Sequence, residues 1–288
     1  MRLHYLKYFW LKYIFLLVVS VTVAACTSKS KEEPGLKLFV FDCGRLNYDS
    51  IDVFGISDLE SDVRDLIVPC YVIEHEKGRL LWEGGLASSY SELEGWHEMD
   101  GGWRLRLDRT LASQLDEVGL SMSTFDFAAF SHFHFDHTGV ANELIDSRLI
   151  IQKPEYDSAF ADSVTVPGFV RSLYDNFSDD NILVVDGEHD VFGDGRVRLI
   201  PTPGHTSGHQ VLFVDLLETG PLIVSGDLYI FDIGRKQRLV PSFNADSIQT
   251  LQSMDLVEAL VEETGADVWI THELVNFTKL RKAPLYHQ

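Results

Sequence analysis

The sequence predicts an α+β protein with a sheet-on-sheet core and helices outside it. Three observations predict this. Short apolar runs of strand length recur in both halves of the chain, amphipathic helical stretches punctuate them, and 288 residues at 45% hydrophobic can bury a large core.

The globular pattern starts at Leu36. Leu36 to Phe41 (LKLFVF) reads as a strand, followed by a turn at Asp42, Cys43 and Gly44. The runs Ile67 to Ile73 and Arg79 to Glu83 are separated by HEKG, with Gly78 as the hairpin turn, so the chain opens with antiparallel β structure. Gly84 to Arg106 is irregular and carries Trp96 and Trp103. It is either a surface excursion whose tryptophans pack back onto the core or a lid over a site. Asp108 to Val118 sets Leu111, Leu115 and Val118 at helical spacing and stops at Gly119.

Phe125 to Phe130 is a buried strand that delivers the chain into His132. Arg148 to Gln152 is another strand, a helix begins in Pro154 to Phe160, and Ala161 to Asp180 is polar and irregular. Strands follow at Ile182 to Val185, Val197 to Ile200, Gln210 to Val214 and Pro221 to Ser225. Ser247 to Glu263 is a long helix with a broad apolar face of Ile248, Leu251, Met254, Leu256, Val257, Leu260 and Val261, stopped by Gly265. The strand Asp267 to Ile270 hands over to Thr271 and His272.

The first residues carry a separate message. Arg2, Lys7 and Lys12 precede an apolar run of 11 residues, Tyr13 to Val23, and Ala24 and Ala25 precede Cys26. A membrane span needs about 20 residues, so the run fits a signal-peptide core. VAAC resembles the lipobox of bacterial lipoproteins. The expected organisation is a leader over residues 1–25, a flexible tether over 26–35 after a lipidated Cys26, and a catalytic domain over 36–288. Thr27 after the cysteine, in place of aspartate, points to an exported protein anchored in the outer membrane and facing the periplasm. Cys43 and Cys70 are too few to define a disulfide framework, so a bridge and a buried thiol at Cys70 both remain open.

The formal net charge is −20, which disfavours nucleic acid as a partner because phosphate backbones are bound by clustered Lys and Arg. The oligomeric state is not readable. A small-molecule substrate is the expected partner, with membrane contact only through the anchor on Cys26.

The chemistry concentrates in Ser131 to Val140, SHFHFDHTGV, which sets His132, His134, Asp136 and His137 within six positions. In an extended segment residues two apart point to one side, so His132 and His134 can chelate one ion. A turn into a helix near Thr138 and Gly139 then frees Asp136 and His137 to face a second. Catalytic zinc takes three protein ligands and leaves a position open. His205, in the turn Pro203 to Gly208, can complete the first set; His272 can complete the second, and Asp227, at the end of PLIVSGD, can bridge both. His209 lies near enough to His205 either to orient a ligand or to make a plain buried hydrogen bond.

HFHFDH, followed by PGHTSGH, SGD and a terminal strand ending in His, resembles the metallo-β-lactamase superfamily, from about Leu36 to about His272. VPCYVIE, SHFHFDHTG, IIQKPEY and PGHTSGHQ look most like its N-acyl homoserine lactonase branch. The resemblance implies a four-layer αββα sandwich. It implies two Zn2+, or other divalent ions, with His132, His134 and His205 holding the first, Asp136, His137 and His272 the second, and Asp227 between them. Two features depart from the branch. Its catalytic tyrosine three residues after the bridging aspartate is Ile230 here, with Tyr229 the nearest tyrosine, and its Asp-Thr-Gly is Glu83-Gly84-Gly85.

The expected activity is opening of an ester or lactone by a metal-bridging hydroxide. Asp136 is the expected proton shuttle, and Tyr229 either a donor to the developing oxyanion or a core aromatic. The acyl chain would lie along the Gly84 to Arg106 loop and Phe243. Alternatives are a β-lactamase, thioesterase or phosphodiesterase on the same site, or a non-catalytic zinc-binding envelope lipoprotein.

Overall fold

A computed structural model describes residues 35–288. The expected leader, the lipidated Cys26 and all of the tether but Gly35 lie outside the described residues.

Strands β1 (Lys37–Tyr48), β2 (Asp65–His75) and β3 (Gly78–Trp82) form the opening antiparallel meander. The turn expected at Asp42 to Gly44 is instead a bulge. Register shifts between Asp42 and Arg45, and β1 continues to Tyr48. The tryptophan-bearing segment is also more regular than expected. It contains the hairpin β4 (His97–Met99) and β5 (Trp103–Arg106), and β5 pairs with the far end of β1. That partner is nearly 60 residues away, so no local pattern marks the strand.

From β3 the sheet continues in parallel through β6 (Phe127–Ala129), β7 (Arg148–Gln152) and β8 (Ile182–Val185). A second sheet has the order β13-β12-β11-β10-β9, from β9 (His189–Asp190), β10 (Val197–Pro201), β11 (Gln210–Leu216), β12 (Gly220–Val224) and β13 (Asp267–Trp269). The last strand, β14 (Tyr286–His287), returns to pair with β1.

The period-2 alternation of side chains explains the layers. On β11, Leu212, Val214 and Leu216 meet Leu38, Ile73, Leu80 and Trp82 of the first sheet in the central core. The alternate residues Val211 and Phe213 pack outward against Met254 and Val257. Each fully buried aliphatic side chain contributes about 1.5–3 kcal/mol. On the opposite outer face, Cys70 and Val72 of β2 are covered by Leu111 and Leu115 of α1 (Leu111–Asp116) and by Ala159 of α2 (Lys153–Ala159). The result is the expected αββα sandwich. Short helices α3 (Asp232–Gln237) and α5 (Leu274–Phe277) were not marked by the sequence pattern.

The long helix α4 (Ser247–Thr264) is capped by the Asp246 side chain, which accepts from the amides of Ile248 and Gln249, and it stops at Gly265 with φ 71°. Its buried stripe is narrower than expected. Met254 and Val257 are buried, whereas Ile248 and Leu256 are exposed, and Thr250 and Ser253 are buried in their place. These small polar residues let the helix approach the chain around His205. The Ser253 hydroxyl donates to the Pro203 carbonyl, and a Cβ on Gly204 would fall 2.3 Å from the Thr250 nitrogen. Among the described residues no helix is long and apolar enough to cross a membrane.

Candidate metal centre

The expected ligand residues follow strand ends at one edge of the sandwich. His132 to His137 follow β6, His205 follows β10, Asp227 follows β12 and His272 follows β13. The structure gathers them into two buried groups: His132, His134, His205 and Asp227 in one, and Asp136, His137 and His272 in the other.

In the first group His132 Nε2 lies 2.8 Å from His134 Nδ1, and His205 Nε2 lies 3.1 Å from each. The opposite nitrogens of two of these rings are engaged. Nδ1 of His132 faces the Ser131 hydroxyl at 3.0 Å, and Nδ1 of His205 donates to Asn244 Oδ1 at 2.9 Å. Lone pairs therefore converge on a common point. A tetrahedral ion with metal–nitrogen distances of about 2.0–2.1 Å holds its ligand atoms about 3.3–3.4 Å apart, close to the spacing found.

The second group is built around carboxylates. His137 Nε2 and His272 Nε2 lie 3.2 and 2.9 Å from Asp227 Oδ1, and each is 3.7 Å from Asp136 Oδ2. Buried His137 Nε2 and Asp227 Oδ1 have no hydrogen-bond partner of proper geometry among the described residues. Asp227 Oδ2 turns the other way, 3.4 Å from His205 Nε2 and 3.9 Å from His132 Nε2. One carboxylate thus faces both groups. The donor set and its orphaned atoms fit two divalent cations.

Surrounding groups also orient the imidazoles of the second group. Nδ1 of His272 donates to the Ile67 carbonyl at 2.7 Å, and Nδ1 of His137 lies 3.2 Å from Glu83 Oε2. His209 carries its proton on Nδ1, toward the Thr202 carbonyl, and its Nε2 accepts the Asp227 amide at 3.0 Å. It therefore positions Asp227 through the main chain, and burial holds its own pKa down at about 3.

Two further carboxylates take part in ways the sequence pattern does not mark. Glu83 Oε2 accepts from the Ser131 amide as well as holding His137. Glu155 accepts from the amides of Phe133 and Gly208, both at 2.9 Å, tying the chain between His132 and His134 to the chain between His205 and His209. Burial pushes its carboxyl up to about 7. The KPEY segment shows an acid in a first helical turn, and only the fold reveals that the acid points inward.

Electrostatics separate the two groups. Burial, reinforced by neighbouring imidazoles, lowers His132 and His134 well below the usual histidine range, and burial also lowers His205. Burial opposes the charged form of His137 and His272 as well, but is outweighed there: Glu83, Asp136 and Asp227 raise the first, and Asp227 and Asp136 the second.

The structure does not bring Tyr229 to the centre. Its ring is buried under α4, and its hydroxyl donates to Glu258 Oε1 at 2.8 Å. The neighbouring Ile230 faces the pocket instead. Of the tryptophan-bearing segment, Trp103, Gly101 and Gly102 line the pocket, while Trp96 packs under Arg104 and Arg106. Phe243 lines it as expected.

Cys43 and Cys70 are paired. A third cluster, His75, Glu76 and Asp194, is already filled by a cation, since the Arg196 guanidinium lies 2.7 to 2.9 Å from all three.

Residues 63–264 match the sequence profile of the metallo-beta-lactamase superfamily. The N-acyl homoserine lactonase AttM of Azorhizobium caulinodans is 31% identical over 235 residues, covering 77% of this chain and 88% of the relative. An N-acyl homoserine lactonase of a Bacillus species is 26% identical over 244 residues, covering 83% and 93%. A solved N-acyl homoserine lactone hydrolase with N-hexanoyl-L-homoserine at its catalytic metal centre superposes with a TM-score of 0.73 at 22% identity, over 87% of this chain and 98% of that one. AidC, described as a dizinc quorum-quenching lactonase, gives 0.63 at 17% identity, over 83% and 88%. Profile, relatives, fold and donor set agree: the chain belongs to the metallo-beta-lactamase superfamily, as an enzyme of its metal-dependent hydrolase kind.

Proposed function

We propose that the protein opens the ring of N-acyl homoserine lactones with two zinc ions as cofactors. The observation that carries this reading is the pairing of two donor groups, joined through Asp227, with a pocket of about 420 Å³ whose wall includes several aromatic side chains. Phe54, Trp103, Phe135 and Phe243 offer apolar surface to an acyl chain, while Asp136, Asp227 and His272 stand at the polar end. The relatives named above support the same substrate class.

His132, His134 and His205 would hold one ion and Asp136, His137 and His272 the other, with Asp227 between them. Such ions supply Lewis acidity and make water a nucleophile near neutral pH. The chain's own groups do the rest. Glu83, Asn244 and the Ile67 carbonyl hold three imidazoles in one tautomer each, so their ligand nitrogens are aimed before any ion arrives. Asp136 lines the pocket and is the carboxylate that takes a proton from the attacking water and returns it to the departing ring oxygen.

Zinc-loaded protein lacking the leader, offered a series of acyl homoserine lactones beside a β-lactam and a phosphodiester, tests the reading. Lactone opening far above a metal-free control, with two ions per chain by elemental analysis, is the expected result. Turnover of only the β-lactam or the phosphodiester replaces the substrate, and metal binding without any turnover replaces the enzyme.

The same reading places a cleaved leader at 1–25, a lipid anchor on Cys26, a tether to residue 35 and the hydrolase domain beyond it, on the outer membrane facing the periplasm. The paired Cys43 and Cys70 support an oxidising compartment. Cys26→Ala should move the protein from the membrane to the soluble fraction, and unchanged partitioning overturns the anchor.

A further inference from the structure

With Tyr229 turned away and an isoleucine beside it, neither residue offers the pocket a donor for the oxygen that gains negative charge when a carbonyl is attacked. Among the described residues no lysine or arginine lines the pocket. Ser50 lines it, but its hydroxyl donates to the Asp58 carboxylate and accepts from the Asp52 amide. Outside the candidate ligands, the side-chain donors left in the wall are the indole of Trp103 and, as the one hydroxyl, Tyr48, the last residue of β1.

Its ring is held on two sides. Trp103 stacks on it with centroids 5.9 Å apart and planes at 16°, and Phe54 meets it edge-on at 5.0 Å and 79°. The backbone is fixed as well, because Tyr48 pairs with Trp103 across β1 and β5 and its amide donates to the Arg64 carbonyl at 3.0 Å. The hydroxyl makes no hydrogen bond with any described residue. We propose that Tyr48 is the catalytic phenol of this site, donating a hydrogen bond to the oxyanion of a substrate held at the metal centre. The inference rests on the hydrolytic reading above and adds a residue to it.

Two facts support the assignment. Tyr48 lines the same pocket as Asp136, Asp227 and His272. Burial, the largest cause, raises its pKa and keeps the phenol in its protonated, donating form. An aromatic wall alone needs no hydroxyl, so phenylalanine would serve there equally well. A donor to a developing oxyanion cannot be replaced in that way, and loss of one such donor costs about 100- to 1,000-fold in turnover.

The test uses Tyr48→Phe, Tyr48→Leu and Tyr229→Phe in the metal-loaded protein, read in two ways. Lactone kinetics give kcat and KM separately, and calorimetry gives the affinity for inorganic phosphate, an oxyanion that probes the donor without any assumed substrate. The expected result is a kcat loss of about 100-fold in Tyr48→Phe with KM little changed, weaker phosphate binding in the same variant, and no change in Tyr229→Phe. Tyr48→Leu should add a rise in KM, because it removes the stacked ring too. If Tyr48→Phe keeps parental kcat and phosphate affinity while Tyr48→Leu is impaired, the residue is only a packing element and the proposal is overturned. If the parent leaves lactones intact but Tyr48→Phe still weakens phosphate binding, the donor stands and the lactone reading falls. Equal phosphate affinity in an inactive parent and in Tyr48→Phe, including none in either, overturns both.

Discussion

The two donor groups have similar residue types and opposite surroundings. Around His132, His134 and His205 the orienting partners are neutral, a serine hydroxyl and an asparagine amide, and burial pushes the imidazoles toward the uncharged form. Around His137 and His272 the environment is acidic, with Glu83, Asp136 and Asp227 pulling the imidazoles toward the charged form against the same burial. A cation entering the first group meets three neutral nitrogens. One entering the second joins a network that already carries negative charge. Asp227, with one oxygen toward each group, is where the two environments meet.

Breaking that shared point should have the largest effect. Asp227→Asn removes the negative charge common to both groups, so lactone turnover should fall by more than roughly 100-fold, beyond what loss of an orienting partner costs. Elemental analysis should find metal lost from both groups; full metal content with full activity would show that the groups do not depend on this carboxylate.

The contrast itself is sharpened by two variants compared side by side. Glu83→Gln takes the charge from the partner of His137 and should weaken metal binding by roughly 100-fold, whereas Asn244→Ala, which removes a neutral partner of His205, should cost roughly 10-fold. Competition with a chelator measures both, and equal losses would remove the electrostatic distinction. A smaller effect is expected from reducing the Cys43–Cys70 bridge. A Cβ on Gly85 would fall 2.3 Å from Cys43 Cβ, so the bridge packs against the turn that carries Glu83. Reduction should lower stability by about 3.5 kcal/mol, the cost of opening a loop of this size, and reduce activity only a few-fold. Urea unfolding with and without reductant checks it.

The smallest loss of activity should follow Glu155→Gln, whose signature is a change in pH dependence. Folding raises the Glu155 carboxyl from 4.5 to about 7, so between those values the native state holds a proton that the unfolded chain has released. The contribution is therefore complete below about pH 4.5 and lost as pH climbs through 7. The urea midpoint of the parent should fall between pH 5 and 8 by more than that of Glu155→Gln; parallel slopes would show that the carboxyl titrates normally.

The ligand set was legible because it is local and chemically specific. His132 and His134 share a side because alternate residues in an extended segment do, and His205, Asp227 and His272 each follow an apolar run long enough to be a strand. The strands themselves were legible for the same reason, and their boundaries shift by a few residues in the structure. The β4–β5 hairpin was not, because its pattern depends on pairing with β1, far away in the chain. The face of α4 was overdrawn for a related reason. Apolar spacing predicted Ile248 and Leu256 inside, but the neighbour is a tight turn at Gly204 that admits only Thr250 and Ser253.

The roles of Tyr229, Tyr48, Glu83 and Glu155 show where sequence stops. Tyr229 has extended backbone, with φ −131° and ψ 124°, so it and Ile230 face opposite ways. Which of them enters the pocket depends on which side α4 covers. Tyr48 precedes the metal motif by more than 80 residues and reaches the pocket only because β1 bulges and runs on to pair with β5. By itself, then, the sequence determined the candidate ligand set and the layered fold, since both follow from residue chemistry at short spacing. The tertiary structure decided which carboxylates brace those residues and which tyrosine lines the pocket, because the direction of a buried side chain is set by the surface packed against it.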